Sequence, residues 1–447
     1  MSGSHKHACA VLLSFLLAGG HAGTADALTL TEGVKIATES NRLIRIVRRE
    51  RDVAAAEAQI ARARFLPEVN ASLSHASLAY QPGALYASQA VRTTERRFIS
   101  YGIDMRQLLL DFGARASLFE ASQAAIESAG FSVERTRNLV ALDFILAYLD
   151  LLEAGKGERV ALREVERLES HLKTAQSLYA EGVITRNDLL QAEVRLSDAR
   201  QRLLSVRNLK EVSASRVNNI LSRPLRSEVH PEEAVADLPR VPGLDEAGEI
   251  AESRRPELKI IDREVRINEM EESARTTEYY PKVFADASYR FTENRYQLHE
   301  DNWSLVLGLT VNLFSGGSTR AEIAKIRYRR EQLLEQRRRL ADDIRLEVEK
   351  NFFDMRNAEE KLRVARDAIG QAEENLTINR LRYEEGLGTA TDVLDAITLL
   401  AAAETNHYRA QYELQRAYAG LLYAMGADLA VEYREPQGGN GKEPERE

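Results

Sequence analysis

Two periods alternate along the chain. Over residues 99–106, Ile99, Tyr101, Ile103 and Met105 take one side of a period-two pattern, and Ser100, Gly102, Asp104 and Arg106 take the other. Residues 302–313 repeat the pattern with Trp303, Leu305, Leu307, Leu309, Val311 and Leu313. Val69, Ala71 and Leu73 form a third set, and Val283, Ala285, Ala287 and Tyr289 a fourth. Period two predicts strands, each close to the roughly 9–11 residues that cross a bilayer at a tilt. A soluble hairpin with one wet face gives the same alternation.

Elsewhere the apolar step is three and four. Leu189, Ala192, Leu196, Ala199, Leu203 and Val206 make one such seam. Val393, Ala396, Leu400, Ala403, His407, Ala410, Leu414, Ala417 and Leu421 make another. Alanine at so many seam positions predicts close helix approach. The spacing predicts helices over 31–64, 114–178, 187–222, 246–278, 318–382 and 391–428. Each long helix measures roughly 98 Å, and each pair of shorter ones laid end to end roughly 105 Å. The expected unit is a long helix matched by two short helices stacked head to tail, with a strand pair at one end.

Proline placement divides the chain. Five of its 10 prolines fall within 224–256, and none falls in 83–223 or 282–435. Since proline breaks helix interiors at about 3 kcal/mol, the clean stretches are free to hold long helices. The two halves repeat each other. Phe65-Leu66-Pro67-Glu68-Val69 matches Tyr279-Tyr280-Pro281-Lys282-Val283 at an offset of 214. Tyr179-Ala180-Glu181-Gly182 matches Tyr383-Glu384-Glu385-Gly386 at 204. The difference places a longer loop of the first half within 80–97. The expected divisions are a signal peptide, 1–27, and a first repeat, 28–222, with strands near 68–79 and 98–110. A Pro-rich linker, 223–257, leads to a second repeat, 258–430, with strands near 282–291 and 302–314. A disordered tail, 431–447, follows.

The leader fixes the compartment. Lys6, the apolar run 10–18 and the Ala25-Asp26-Ala27 cleavage pattern read as a secretory signal. The run is too short to span a membrane, and the single cysteine, Cys9, precedes it, so it is badly placed for lipid attachment. No later segment reaches 18 uninterrupted apolar residues, so any membrane crossing must use strands. Charge narrows the partners: 61 Lys+Arg against 69 Asp+Glu leave a net charge of −8, which argues against nucleic acid. His75, His171, His230, His299 and His407 are far apart, and no H-E-x-x-H, G-x-S-x-G or Walker A spacing occurs. Neither an enzyme nor a cofactor is expected. Four strands cannot close a barrel, and lipid permits no open edge. The chain must therefore associate if it spans a membrane; a dimer, trimer or tetramer would each give enough strands.

The order and spacing of these elements resemble the TolC family of outer-membrane efflux and secretion channels over about 28–430. The most specific carriers are Tyr179-Ala-Glu-Gly182-Val-Ile-Thr185-Arg-Asn-Asp188 and Tyr383-Glu-Glu-Gly386-Leu-Gly-Thr389-Ala-Thr-Asp392-Val-Leu-Asp395. The corners Leu110-Asp-Phe-Gly113 and Leu313-Phe-Ser-Gly-Gly317 are also similar. The resemblance implies a mainly α fold with a small β part. Duplicated long-helix hairpins would form a trimeric α-helical tube in the periplasm, and four strands per chain would complete a twelve-stranded barrel in outer-membrane lipid. It implies a homotrimer, a periplasmic adaptor (membrane fusion) protein, and an inner-membrane ABC or proton-driven transporter. The function implied is the exit duct of type I protein secretion or multidrug efflux. A soluble periplasmic coiled-coil scaffold or adhesin without a pore is the alternative.

The candidate gate has two readings. Thr185 with Asp188, and Thr389 with Asp392, have the spacing of capping boxes. The resemblance places Asp392 and Asp395 at the periplasmic tip as rings of carboxylates that attract cations, with Asp188 and Tyr383 helping to hold the coils closed. Gly182 and Gly386 fit left-handed helix ends, and the resemblance adds adaptor docking at these turns through Val183 and Leu387. Gly388 stands where the family pattern often has an arginine, which leaves Arg186, Arg380 and Arg382 as substitutes for an arginine lock.

Overall fold

The computed structural model describes residues 27–233, 238 and 240–433. The leader, apart from Ala27, and the tail beyond Tyr433 lie outside the described residues. In chain order the elements of the first half are α1 (Leu30–Ser40), α2 (Arg42–Ala63), β1 (Glu68–Ser77), β2 (Gly83–Tyr86), β3 (Gln89–Arg92), β4 (Arg97–Leu110), α3 (Ala114–Ala180) and α4 (Arg186–Ile220). The second half brings α5 (Leu244–Arg254), α6 (Pro256–Thr276), β5 (Lys282–Thr292), β6 (Asp301–Thr310), α7 (Ser318–Glu384), α8 (Ala390–Ala424) and α9 (Leu429–Glu432).

The long helices α3 and α7 run 67 residues each, roughly 100 Å. Each begins at a glycine in the left-handed region, Gly113 or Gly317, where the chain turns out of the sheet. Towards the sheet, α3 packs between α2 and α6, and α6 packs on α7; towards the other end, α3 packs between α4 and α8, and α8 packs on α7. The seams expected for α4 and α8 are buried at Ala192, Leu196, Ala199 and Leu203, and at Val393, Ala396, Leu400 and Ala403. A larger core fills the middle of the molecule around Phe144, Tyr148, Tyr412 and Leu421. There the Tyr148 hydroxyl lies 2.7 Å from the Leu28 carbonyl and 2.6 Å from that of Glu232, which ties the start of the first repeat and the linker to α3.

Two expected helices are each broken in two. Over 31–64 the chain leaves the helix at Asn41, which is extended at φ −61°, ψ 138°. Its Oδ1 accepts from Leu43 N at 2.8 Å, while its Nδ2 donates to the carbonyl of Ile220 at 2.8 Å. Over 246–278 the break falls at Arg255, because a residue before proline is kept out of the α region. Its guanidinium points at the carbonyls of Tyr423 and Ala424, both at 3.4 Å. Each break residue thus caps the C-terminal end of the helix stacked on it, where the peptide dipoles leave negative charge.

The sheet order is β1-β4-β5-β6, antiparallel throughout. Register puts Leu73, Tyr101 and Phe291 in one row, and Ala71, Ile103, Tyr289 and Trp303 in the next. Within the strands all four alternating sets therefore share a single face, with Val311 and Leu313 beyond the end of β6, and that face is solvent-exposed over most of its large apolar side chains. The opposite face carries Asn70, Ser72, Asp104, Arg106, Asp286, Arg290 and Ser304. The longer loop of the first half holds a second, two-stranded sheet, β2–β3.

Candidate functional site

The far end of the helical hairpins is built twice. At the end of α3, Gly182 sits at φ +74°, and Val183 N reaches back to Leu178 O at 2.9 Å. At the end of α7, Gly386 sits at φ +71°, and Leu387 N reaches Arg382 O at 2.7 Å. These backward bonds, with a left-handed glycine just past the helix, close both helix ends. They leave Val183 and Leu387 exposed at the two turns.

The return helices open with matching capping boxes. Thr185 N and Oγ1 donate to Asp188 Oδ2 at 3.0 and 2.7 Å, and Asp188 N donates to Thr185 Oγ1 at 3.3 Å. Thr389 and Asp392 repeat this at 3.0, 2.7 and 3.2 Å. The Thr389 hydroxyl and amide hold the Asp392 carboxyl below the usual carboxylate range. A capping carboxylate keeps its charge, so Asp392 can serve as a helix cap and as an exposed anion together.

Tyr383 and Asp395 behave differently from each other. Tyr383 is only 4% exposed, its ring tilted by 47° against His171 of α3 with ring centroids 5.2 Å apart. Among the described residues, neither its hydroxyl nor His171 Nε2 has a hydrogen-bond partner. Both line a cavity of about 240 Å³ between α3, α7 and α8, with Arg167, Arg380, Glu384 and Ile397. Burial, then the Asp188 carboxylate, raises the Tyr383 phenol. Burial, then Arg380, pushes the His171 imidazole down to about 4. Asp395 is exposed, 3.6 Å from Arg195 of α4. One turn away, Thr391 Oγ1 lies 3.3 Å from Gln191 Oε1. These two contacts bridge the α3–α4 hairpin to the α7–α8 hairpin.

Arg195, Gln191 and His171 are absent from the residues expected on sequence. Gln191 had a signal, since it is the counterpart of Asp395 at the offset of 204, and Arg195 follows it by one helical turn. Of the arginines expected as substitutes, Arg380 pairs with Glu384 at 3.1 Å and lines the cavity beside Tyr383 and His171, while Arg382 lies 3.5 Å from the Leu387 carbonyl and its charge helps to lower Asp392. A Cβ on Gly388 would meet Tyr383 N and the Arg382 Cβ, both at 3.2 Å. A side chain there would press the turn away from α7.

At the other end, the polar sheet face carries cross-strand ion pairs, Arg106 with Asp286 at 2.8 Å and Arg290 with Asp104 at 3.8 Å. Trp303 and Tyr101 lie exposed on the apolar face, so neither is core within one chain. Among the described residues, no helix is long and apolar enough to cross a membrane.

A sequence model described as outer membrane efflux protein matches residues 34–222 and 249–427. The chain is 23% identical over 383 residues to nodulation protein T of Rhizobium leguminosarum bv. trifolii, covering 84% of this chain and 80% of that protein. It is 23% identical over 438 residues to the proteases secretion protein PrtF of Dickeya chrysanthemi, covering 93% and 92%. Among solved structures, the outer-membrane channel OprN superposes with a TM-score of 0.79 at 20% identity, covering 90% of each chain. VceC of Vibrio cholerae superposes with a TM-score of 0.77 at 14% identity, covering 90% of this chain and 96% of that one.

Proposed function

The chain belongs to the outer membrane efflux protein family, and from that premise we propose that it works as a homotrimeric exit duct. Its sheet lies in the outer membrane and its helices extend into the periplasm. Three copies would close twelve strands into one barrel and ring the helices into a tube. An adaptor would dock at the Val183 and Leu387 turns, and an inner-membrane transporter would feed the tube. The duct itself is passive, with no catalysis. Relatives named for protease secretion and for pyoverdine export leave proteins and small molecules as the two cargo classes.

One observation carries the oligomer. The subunit has two unfinished sides, and each runs its whole length. On one side, strand β1 has a free edge, and α2 presents Leu43, Ile46, Val53 and Ile60 exposed along one stripe. Below it, α4 presents Leu190, Val194, Leu204 and Val212. On the other side, β6 has a free edge, and α7 presents Tyr328, Leu346, Phe353, Val364 and Leu381. Lipid leaves no backbone group unpaired, and exposed apolar stripes of this length mark contact surfaces. Because each chain brings four strands, β1 of one copy meets β6 of the next antiparallel, and the ring closes without a change of pattern.

At the entrance, Asp392 and Asp395 would repeat around the axis, with Tyr383 and Asp188 bracing α7 against the first hairpin. Outer-membrane fractionation with cross-linking tests the whole reading. The expected result is a heat-resistant trimer in the outer membrane that conducts in planar bilayers. A monomer in the periplasmic extract would overturn it in favour of a soluble scaffold.

A further inference from the structure

The sheet's outer end carries an apolar surface that one chain cannot cover. Leu298, in the loop between β5 and β6, is 98% exposed, and Tyr80, Leu85 and Tyr86, on or beside the β2–β3 hairpin, are nearly as bare. These loops are held in place. Asn294 is fully buried and donates to the Thr93 carbonyl at 3.1 Å; Gln81 donates to the Tyr296 hydroxyl at 3.3 Å; Arg295 pairs with Glu95. The hairpin turns tightly through Ala87 and Ser88, at φ +47° and +67°. That two-residue turn normally takes Asn-Gly, so its left-handed backbone is strained, and a held shape of this kind favours binding by lowering the cost of ordering.

Topology says what lies beside it. Strand β1 ends at Ser77 and β6 begins at Asp301, both at the outer end of the sheet. In the closed ring, β1 of one copy runs beside β6 of the next. The hairpin that follows β1 therefore adjoins the neighbour's loop 293–300. Each such loop is gripped by its own chain through Thr93, Glu95 and Gln81, and those contacts leave Leu298 bare.

We propose that the β2–β3 hairpin of one copy covers Leu298 of the next, so that six loops interlock as a clasp around the outer mouth. The occupant of this surface is a second copy of the chain, and the inference rests on the trimeric ring proposed above. The clasp buries Leu298 against Leu85 and Tyr86, and it adds side-chain contacts where the strand pairing ends.

Cysteine pairs test it, because Cys9 is the only native cysteine and Cys9→Ser removes it. Tyr86→Cys with Leu298→Cys, oxidised on intact cells, is expected to give covalent dimers and trimers, while each single variant stays monomeric in reducing-agent-free SDS after boiling. In the assembled trimer, Leu298→Cys alone should react with a membrane-impermeant maleimide at least tenfold more slowly than in the boiled chain. Leu298→Ser should lower the temperature at which trimers dissociate. Trimers that form normally but never cross-link, with Leu298→Cys labelled at the rate of the boiled chain, would overturn the clasp and leave the ring standing. Absence of trimers before oxidation would overturn both.

Discussion

Exchanging the charges of Arg195 and Asp395 asks whether the contact between the two helical hairpins holds the entrance shut. At 3.6 Å the pair has a Coulomb energy of about 1 kcal/mol in a water-like dielectric. Both side chains are about half exposed, at 47% and 64%. Ordering two long side chains and screening by salt therefore leave roughly 0.2–1 kcal/mol per pair. Three copies would multiply this to roughly 0.6–3 kcal/mol per ring, a shift in the open-to-closed ratio of roughly 3- to 140-fold. Arg195→Glu or Asp395→Arg should raise single-channel open probability in planar bilayers by a factor in that range. The double exchange should return it towards the original value, since the pair is restored with its sign reversed. Raising KCl towards 1 M, where the Debye length is about 3 Å, should shrink the difference. Unchanged open probability in both single variants would refute the link, and so would a double variant as open as either single one. The Gln191 and Thr391 side chains are untouched in all these variants; Asp395→Arg also changes the charge proposed for the axis, so Arg195→Glu is the single variant that reads the ion pair.

Replacing both carboxylates by Asp392→Ala with Asp395→Ala should weaken block of the channel by multivalent cations, and unchanged block would mean they do not line the constriction. His171 sets an acid limit. Its imidazole titrates at about 4 in the fold against 6.5 in the unfolded chain, so the unfolded chain takes the proton first as pH falls. Its contribution is complete above about 6.5, declines between 6.5 and 4, and is lost below, about 3 kcal/mol in all. In His171→Phe, which keeps the ring against Tyr383, the drop in thermal dissociation temperature between pH 6.5 and 4 should be smaller than in the parent; equal drops would exclude His171 as its source. At the helix joints, Arg255→Ala strands Glu257 and Glu347, its partners at 3.0 and 2.9 Å, and should cost about 3 kcal/mol. Asn41→Ala, which removes a neutral cap, should cost about 1–2 kcal/mol. Guanidinium unfolding in detergent checks the order, and a larger loss at Asn41 would contradict it.

The periodic parts of this fold were legible because each rests on neighbours in sequence. Alternation at 99–106 and 302–313 defines a lipid-suited face without knowledge of the partner strand, and the three-four seams of α4 and α8 locate their own buried sides. The breaks at Asn41 and Arg255 were not legible in the same way. Proline suits the first turn of a helix as well as a linker, so Pro256 alone did not separate α5 from α6. Asn41 has no proline after it and breaks the helix through a partner, Ile220, that arrives 179 residues later. The β2–β3 hairpin carries Ala-Ser in place of the usual turn residues. The capping role of Asp188 and Asp392 followed from spacing, whereas Arg195 and His171 matter through contacts between helices that sequence does not bring together.

The duplication explains why the middle and the entrance differ. At the joints the repeats remain equivalent in construction: Asn41 and Arg255 stand 214 apart, and the helix ends they cap, Ile220 and Ala424, stand 204 apart. Ser222 and Gly426 follow those ends in the same left-handed turn. In the proposed trimer, six near-equivalent joints would make an even belt. At the hairpin tips the equivalence is lost. Tyr383 is buried against His171, while its counterpart Tyr179 is exposed. Gln191 stands where the second repeat has Asp395. The first repeat thus brings one acid, Asp188, where the second brings two, Asp392 and Asp395. If the carboxylates face the axis, the α7–α8 hairpins line it and the α3–α4 hairpins brace them from outside. Opening would then need only three of the six hairpins to move, releasing Arg195 from Asp395, Gln191 from Thr391, and Tyr383 from His171.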